Sequence, residues 1–317
     1  MYRDIPTVLT AEEIIDKMFR RAKKVEVPLI RNRLRFHKNL SIAKIYTARD
    51  VAVSTLGRYV EAFPYINKMH PFYRTLLDLL VDKNQYKKSL ASLVWAIDRI
   101  NSFADKYARK IKGVGKVEDA IKFRKDFYGR ATSIIKQIAP KLRYLSEVRE
   151  IMKKLPDVNP EMPTVVIAGY PNVGKSMLVE KLSTAKPEIA AYPFTTKGIV
   201  VGHMDLSGRR IQIIDTPGVL DRPLERRNKI ERQAILALEH LADIIVFVLD
   251  PSETCGYKLE EQENLLNEVR MSFSVPVIVV ENKRDIYERD TENLKISAST
   301  GEGLDALVDR MLGILKG

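Results

Sequence analysis

Apolar positions in the first half of the chain recur at helical spacing; in the second half they gather into short uninterrupted runs. Thr10 followed by Glu13 is a capping-box pattern ahead of Ile14, Ile15, Met18 and Phe19, and it predicts a helix start. Tyr86, Leu90, Leu93, Ile97, Ile100, Ala104, Tyr107 and Ile111 alternate at spacings of four and three. A seam of that length demands a partner helix alongside. Asn84 is the candidate cap of this helix, which follows a shorter one near Pro71–Val81. Gly113-Val114-Gly115 breaks the pattern, and Ile121, Tyr128, Ala131, Ile135 and Ile138 resume it. Residues 1–155 therefore read as a helical bundle, with the apolar stripes as its core.

Prolines at 156, 160 and 163 mark a linker over residues 156–163. From 164 to 317 short apolar strands alternate with helices. Val165–Ala168, Ile199–Met204, Ile211–Asp215, Ile244–Leu249, Val277–Val280 and Leu294–Ile296 are the predicted strands. Glu225–Leu241, Glu260–Met271 and Gly303–Leu315 are predicted helices, and Ser207-Gly208 fits a hairpin turn. The alternation predicts a mainly parallel β-sheet with helices on both faces. The fold class expected is thus multidomain, α followed by α/β.

Charge sharpens this division. The 317 residues carry a formal net charge of +12, but residues 1–160 alone hold 34 Lys and Arg against 17 Asp and Glu. The rest of the chain is mildly acidic. A basic half meets a polyanion, nucleic acid or an anionic membrane, unless its lysines merely solvate a helical surface. Cys255 is the only cysteine, which excludes an intrachain disulfide and fits a reducing compartment. With no signal-peptide core and no membrane-length apolar run, a cytoplasmic protein is expected.

The chemistry lies in the second half. Gly169-Tyr170-Pro171-Asn172-Val173-Gly174-Lys175-Ser176 follows an apolar strand and precedes a helix, the context of a P-loop. Its backbone N–H groups would cradle phosphates at a helix N-terminus. Lys175 would reach the β- and γ-phosphates, and Ser176 would supply a hydroxyl to Mg²⁺. Asp215-Thr216-Pro217-Gly218 follows another strand, placing a carboxylate for Mg²⁺ and the Gly218 amide for a γ-phosphate. Asn282-Lys283-Arg284-Asp285 follows a third. A carboxylate at Asp285 accepts from N1–H and the 2-amino group of guanine, and adenine would leave it unpaired. Ser297-Ala298, after the next strand, offers a backbone amide to guanine O6. Their joint order points to GTP and GDP rather than ATP. Between the P-loop and Asp215 lies Ala191-Tyr192-Pro193-Phe194-Thr195-Thr196-Lys197-Gly198, where Thr196 is expected to complete the Mg²⁺ shell and Thr195 is the alternative. Such a threonine loses its ligand when the γ-phosphate leaves, which makes a switch.

At Tyr192–Thr196 and Asp215–Gly218 the chain resembles the Obg-related GTPases. At Val201–Asp205, Asp221–Glu225, Glu231–Ile235 and Ser252–Gly256 it is similar, more narrowly, to the nucleolar GTP-binding protein family in its compact archaeal-type form. His70–Tyr73, Gly129–Thr132 and Leu155-Pro156 resemble that family's helical domain. The resemblance implies GTP hydrolysis and action in maturation of the large ribosomal subunit, with rRNA rather than DNA or membrane as partner and a monomer away from the ribosome.

Under that resemblance several residues acquire expected roles. Val219 stands where many GTPases place a water-orienting glutamine, so slow intrinsic hydrolysis is expected. Asn172 matches a position that related GTPases use to hold K⁺, and a loop asparagine making local turn bonds is the alternative. Met177 replaces the usual Ser or Thr and offers only its amide to the α-phosphate. Two basic clusters fit either a solvated face or an RNA site, and the resemblance favours RNA. One comprises Arg31, Arg33, Arg35, Lys38, Lys44 and Arg49, with Phe36 and Tyr46 nearby; the other comprises Lys106, Arg109, Lys110, Lys112 and Lys116. His203, His240 and Cys255 lack partners at ligand or catalytic spacing and read as structural. Trp95 falls between the seam positions.

Overall fold

A computed structural model describes residues 4–192, 198–206, 208–223 and 229–316. By internal contacts the chain divides into two compact units. One comprises residues 1–68 and 81–153; the other comprises 69–80 and 154–317.

The first unit is helical. Its elements are α1 (Ala11–Lys23), α2 (Arg33–Ala62), α4 (Lys83–Gly113), α5 (Val117–Gln137) and α6 (Ala139–Lys153). Thr10 and Glu13 form the expected capping box on α1, each side chain bonding the other's backbone N–H. Ile14 and Met18 are fully buried beneath it. The partner demanded by the α4 seam is α2, which runs antiparallel to it: Lys38 meets Lys112, Tyr46 meets Asp105, and the Tyr86 hydroxyl donates to Pro64 O at 2.7 Å. Two details of α4 differ from expectation. Asp82, not Asn84, caps it, because one Asp82 oxygen accepts from both the Asn84 and Gln85 amides at 2.8 and 3.0 Å. Ser89 and Ala96 take the buried positions in place of Leu90 and Ile97, opposite an α2 face that is itself small, with Ala48, Ala52 and Thr55 buried. Small residues on facing helices let the axes approach closely.

The second unit begins, in chain order, with α3 (Pro71–Leu80). This short helix was expected in the bundle and instead joins the second unit. Phe72, Tyr73, Leu76 and Leu77 are all buried. The Tyr73 hydroxyl lies 2.9 Å from Pro156 O and 2.7 Å from Val158 O, so α3 is bonded to the proline-rich segment before the sheet. That segment is equally tied to the sheet. Gln212 is 1% exposed and bonds both the N–H and the C=O of Asn159.

The sheet has seven strands among the described residues: β1 (Thr164–Ala168), β2 (Glu188–Ala190), β3 (Ile199–Leu206), β4 (Arg209–Asp215), β5 (Ile244–Leu249), β6 (Val277–Glu281) and β7 (Leu294–Lys295). Their order is β2-β3-β4-β1-β5-β6-β7. The β2–β3 and β3–β4 pairs are antiparallel, and the four other pairs are parallel. β1 and β5 are buried at every position, as befits central strands covered on both faces. The covering helices are α7 (Lys175–Leu182), α8 (Lys229–Leu236), α9 (Leu259–Ser272) and α10 (Leu304–Leu315). The single helix expected over Glu225–Leu241 is α8 followed by a 3-10 turn, Ala237–His240, and residues 224–228 lie outside the described residues.

Candidate functional site

The predicted motifs converge at the carboxyl ends of β1, β4 and β6, where ligands bind in open α/β sheets. The P-loop leaves β1 at Gly169 and enters α7 at Gly174. Both glycines are required by close approach as well as by backbone conformation. Gly169 has φ +134°, and a Cβ there would lie 2.4 Å from Val248 O. Gly174 has φ +100°, and its Cβ would lie 2.3 Å from Asn282 Nδ2.

Asn282 is therefore a brace. It is 3% exposed, donates through Nδ2 to Val173 O at 2.8 Å and accepts through Oδ1 from the Ala298 amide at 2.9 Å. One side chain thus joins the phosphate loop to the predicted base-recognition loop. Of the two residues expected to offer a backbone amide to guanine O6, Ser297 and Ala298, the Ala298 amide is committed to Asn282. Asp285 is exposed, and the Ser297 hydroxyl, then Ser299 and the Lys283 ammonium, hold its carboxyl below the usual carboxylate range against slight desolvation. It is ionised at neutral pH and presents an acceptor to solvent. Ser297 itself is buried, and its hydroxyl lies 2.8 Å from that of Ser299. Lys283 takes a left-handed φ of +65° and donates from Nζ to Asp250 Oδ2 at 2.6 Å and to Thr254 Oγ1 at 2.8 Å.

Lys175 is buried and donates to Tyr170 O at 2.6 Å, across its own loop. Tyr170 is buried with its ring 4.5 Å from that of Tyr257, Pro171 is half-buried, and Val173 is fully buried. Asn172 is exposed with φ +62°, a conformation that asparagine tolerates better than most residues. Met177 is 48% exposed, in the first turn of α7. The Ser176 hydroxyl donates to Asp215 Oδ2 at 2.5 Å. Asp215 is fully buried, and burial pushes its carboxyl up, opposed by Ser176 and the Lys175 ammonium. Its other oxygen, Oδ1, is buried with no hydrogen-bond partner among the described residues. An orphaned carboxylate oxygen beside a serine hydroxyl suits a hard cation that takes oxygen ligands, so these residues fit Mg²⁺. Thr195 and Thr196 lie outside the described residues.

Two acidic residues escaped sequence reasoning. Asp221 accepts from the Gly218 amide at 2.7 Å, so the donor expected for a γ-phosphate already faces a carboxylate. Its position three residues beyond Gly218 was a legible turn signal. Asp250, fully buried at the end of β5, gathers the Lys283 ammonium, the Ser252 and Thr254 hydroxyls and the Cys255 amide. Burial would raise its pKa, but Lys283 and Ser252 outweigh that and hold it low. No motif marked it. Val219 is 1% exposed, an apolar side chain packed away. Burial pushes the Cys255 thiol up, and among the described residues no group of three or more His, Cys, Asp and Glu is placed to hold a metal.

The basic clusters meet in the helical unit. Lys38 Nζ donates to Lys112 O at 2.9 Å, joining the start of α2 to the end of α4. Arg31, Arg33 and Arg35 are exposed around the α2 N-terminus, and Lys106, Arg109, Lys110, Lys112 and Lys116 are exposed around the α4–α5 turn. Lys110 lies over the Tyr107 and Phe123 rings at 5.5 and 5.2 Å. Lys44 and Arg49, farther along α2, are half-buried, and Arg49 is engaged by Asp50 and stacked on Tyr46 at 4.5 Å. No helix among the described residues is long and apolar enough to cross a membrane.

Comparison with known proteins agrees with both halves. The profile of the NOG1 N-terminal helical domain matches residues 2–159, and that of nucleolar GTP-binding protein 1 matches residues 229–285. An uncharacterized protein of Methanocaldococcus jannaschii is 41% identical over 292 residues, covering 91% of this chain and 82% of its own. Nucleolar GTP-binding protein 1 of Saccharomyces cerevisiae is 34% identical over 307 residues, covering 95% of this chain and 47% of its own, so the chain spans about half the length of such eukaryotic relatives. A solved structure, provisionally named nucleolar GTP-binding protein 1 of Plasmodium falciparum, is 33% identical with a TM-score of 0.46, covering 51% of this chain and 90% of that one. The P-loop, the aspartate that ends β4 and the braced Asn-Lys-x-Asp loop, together with the family profiles and the sequence relatives, place the chain in the nucleolar GTP-binding protein 1 family of GTP-binding proteins.

Proposed function

We propose that this protein hydrolyses GTP to GDP and phosphate and acts as a nucleotide-dependent switch in large ribosomal subunit assembly, its helical unit docking on rRNA. The observation that carries the proposal is the Lys38–Lys112 contact, which gathers two basic clusters onto one end of the helical unit. Phosphate contacts of this kind position a protein on RNA. The eukaryotic relatives are named nucleolar GTP-binding proteins, and that name supports a ribosomal context.

In hydrolysis, the loop amides and Lys175 neutralise phosphate charge, and Asp285 selects guanine. Ser176 and Asp215, with Thr196, would hold Mg²⁺, which when bound offsets charge developing on the phosphates. Val219 offers no hydrogen bond to the attacking water, so intrinsic hydrolysis is slow until another group orients it. Asn172 is our candidate for holding K⁺ beside the phosphates. Hydrolysis is then faster in K⁺ than in Na⁺, and equal rates would assign Asn172 only its turn conformation.

Co-sedimentation with large subunits and their precursors tests the whole reading, in K⁺ buffer with GDP, a non-hydrolysable GTP analogue or no nucleotide. Binding should depend on nucleotide and weaken when Arg31, Arg33 and Arg35 are neutralised. No binding in any state at low or moderate salt would overturn the ribosomal assignment and leave a GTP-binding protein acting elsewhere.

A further inference from the structure

The helical unit carries a second surface, away from the basic end. A groove of about 500 Å³ runs where α4 passes the α5–α6 junction, lined by Lys88, Ala91, Trp95, Gln137, Ile138 and Lys141 among others. It lies roughly 25 Å along α4 from Lys112, at 1.5 Å of rise per residue. Trp95, the only tryptophan in the chain, is 38% exposed there. The seam explains why it is not core: Leu93, Ala96 and Ile100 fill the buried face of α4, and Trp95 falls beside them on the open side.

Three properties narrow the occupant. The partly exposed indole beside the exposed Ala91, with the nearly fully buried Ile138 in the lining, offers an apolar platform for a flat ring. Lys88 and Lys141 supply positive charge, and no acidic residue is among those lining the groove. The exposed Gln137 amide can both donate and accept, as recognition of a base edge requires. An aromatic platform flanked by cations is how proteins hold unstacked bases of single strands, where stacking supplies affinity and the backbone meets lysine. A duplex has its bases already stacked and could not use it.

We infer that the Trp95 groove binds one unstacked nucleobase of single-stranded RNA, with Lys88 and Lys141 contacting the flanking phosphates. This rests on the reading of the helical unit as RNA-binding and adds a site to it that neither basic cluster contains.

The single tryptophan makes the test direct, because all tryptophan emission of the full chain comes from this groove. A short single-stranded oligoribonucleotide, the same sequence as a duplex, and an abasic strand of equal length are titrated while emission and anisotropy are followed. Quenching is expected with the single strand alone. Trp95→Ala should weaken its binding about tenfold, Trp95→Phe should retain it, and Lys88→Glu with Lys141→Glu should weaken it and flatten its salt dependence. If the single strand binds by anisotropy while emission stays unchanged and Trp95→Ala binds normally, the groove assignment is overturned and the basic end stands. Equal quenching by the abasic strand also overturns it, since phosphate alone would then suffice. If no RNA binds at low salt, the RNA-binding reading itself fails. Emission that responds only to a purified ribosomal protein would make the groove a protein site instead.

Discussion

At the scale of single residues, the site is a set of committed hydrogen bonds that nucleotide must exchange. Gly218 N–H donates to Asp221, yet it is also the amide we propose for a γ-phosphate. Two anions cannot share it, so GTP binding must displace the Asp221 carboxylate and GDP binding need not. Asp221→Ala should tighten a non-hydrolysable GTP analogue by about tenfold relative to GDP, the worth of one hydrogen bond to a charged acceptor. An unchanged ratio, measured by calorimetry, would mean that Asp221 swings clear without cost. The two carboxylates proposed to act in Mg²⁺ and guanine binding are also pushed in opposite directions, Asp215 upward by burial and Asp285 downward by the Ser297 hydroxyl. Each serves as the deprotonated form. As pH falls from neutral, Asp215 therefore takes up its proton first, and the Mg²⁺-dependent part of GTP affinity should fade while preference for GTP over ATP persists. Competition binding with and without Mg²⁺ across the acid range checks this, and simultaneous loss of both would contradict it.

At the scale of elements, the sequence was most legible where one physical demand dominated. Strands β1 and β5 are continuous apolar runs because both faces are covered, and their predicted bounds agree with the structure to within one residue. The antiparallel edge β2 carried no such signal: it has three residues, and Glu188 and Ile189 are exposed. On α4, periodicity found the correct face but favoured Leu90 and Ile97, since it rewards large apolar side chains. Close packing against α2 rewards small ones, Ser89 and Ala96. The P-loop, Asp215 and the Asn-Lys-x-Asp motif were readable as motifs because each keeps its residue types at fixed spacing after a strand. Asp250 and the bracing role of Asn282 were not, because each depends on partners many residues away. Helix α3 was legible as a helix but not in its allegiance, which Tyr73 decides by bonding to Pro156 and Val158. Tyr73→Phe removes that hydroxyl and leaves buried carbonyls unpaired, so it should cost about 1–3 kcal/mol in denaturant unfolding. A neutral substitution would show that α3 is held by packing alone.

At the scale of the whole molecule, the assignment of α3 changes how the protein can be divided. A fragment beginning at residue 156 omits α3 and exposes its partners, among them Leu238 in the 3-10 turn after α8. Four buried apolar or aromatic side chains leave with the helix, at roughly 1.5–3 kcal/mol each. That fragment should melt well below the intact chain or aggregate, and a peptide of residues 69–80 should restore it. A fragment as stable as the intact chain would refute this. Phe72 also lies beside Tyr192, whose hydroxyl donates to Ala234 O in α8, so α3 packs at one border of the segment expected to sense a γ-phosphate. Because α3 belongs to the second unit by packing and to the first by chain order, the polypeptide crosses between the units three times, at 68–69, 80–81 and 153–154. A conventional pair of domains hangs from one tether and can swivel on it. Here α3 is joined through the chain to the end of α2 on one side and to the start of α4 on the other. Salt, which weakens charge contacts, leaves these covalent crossings intact.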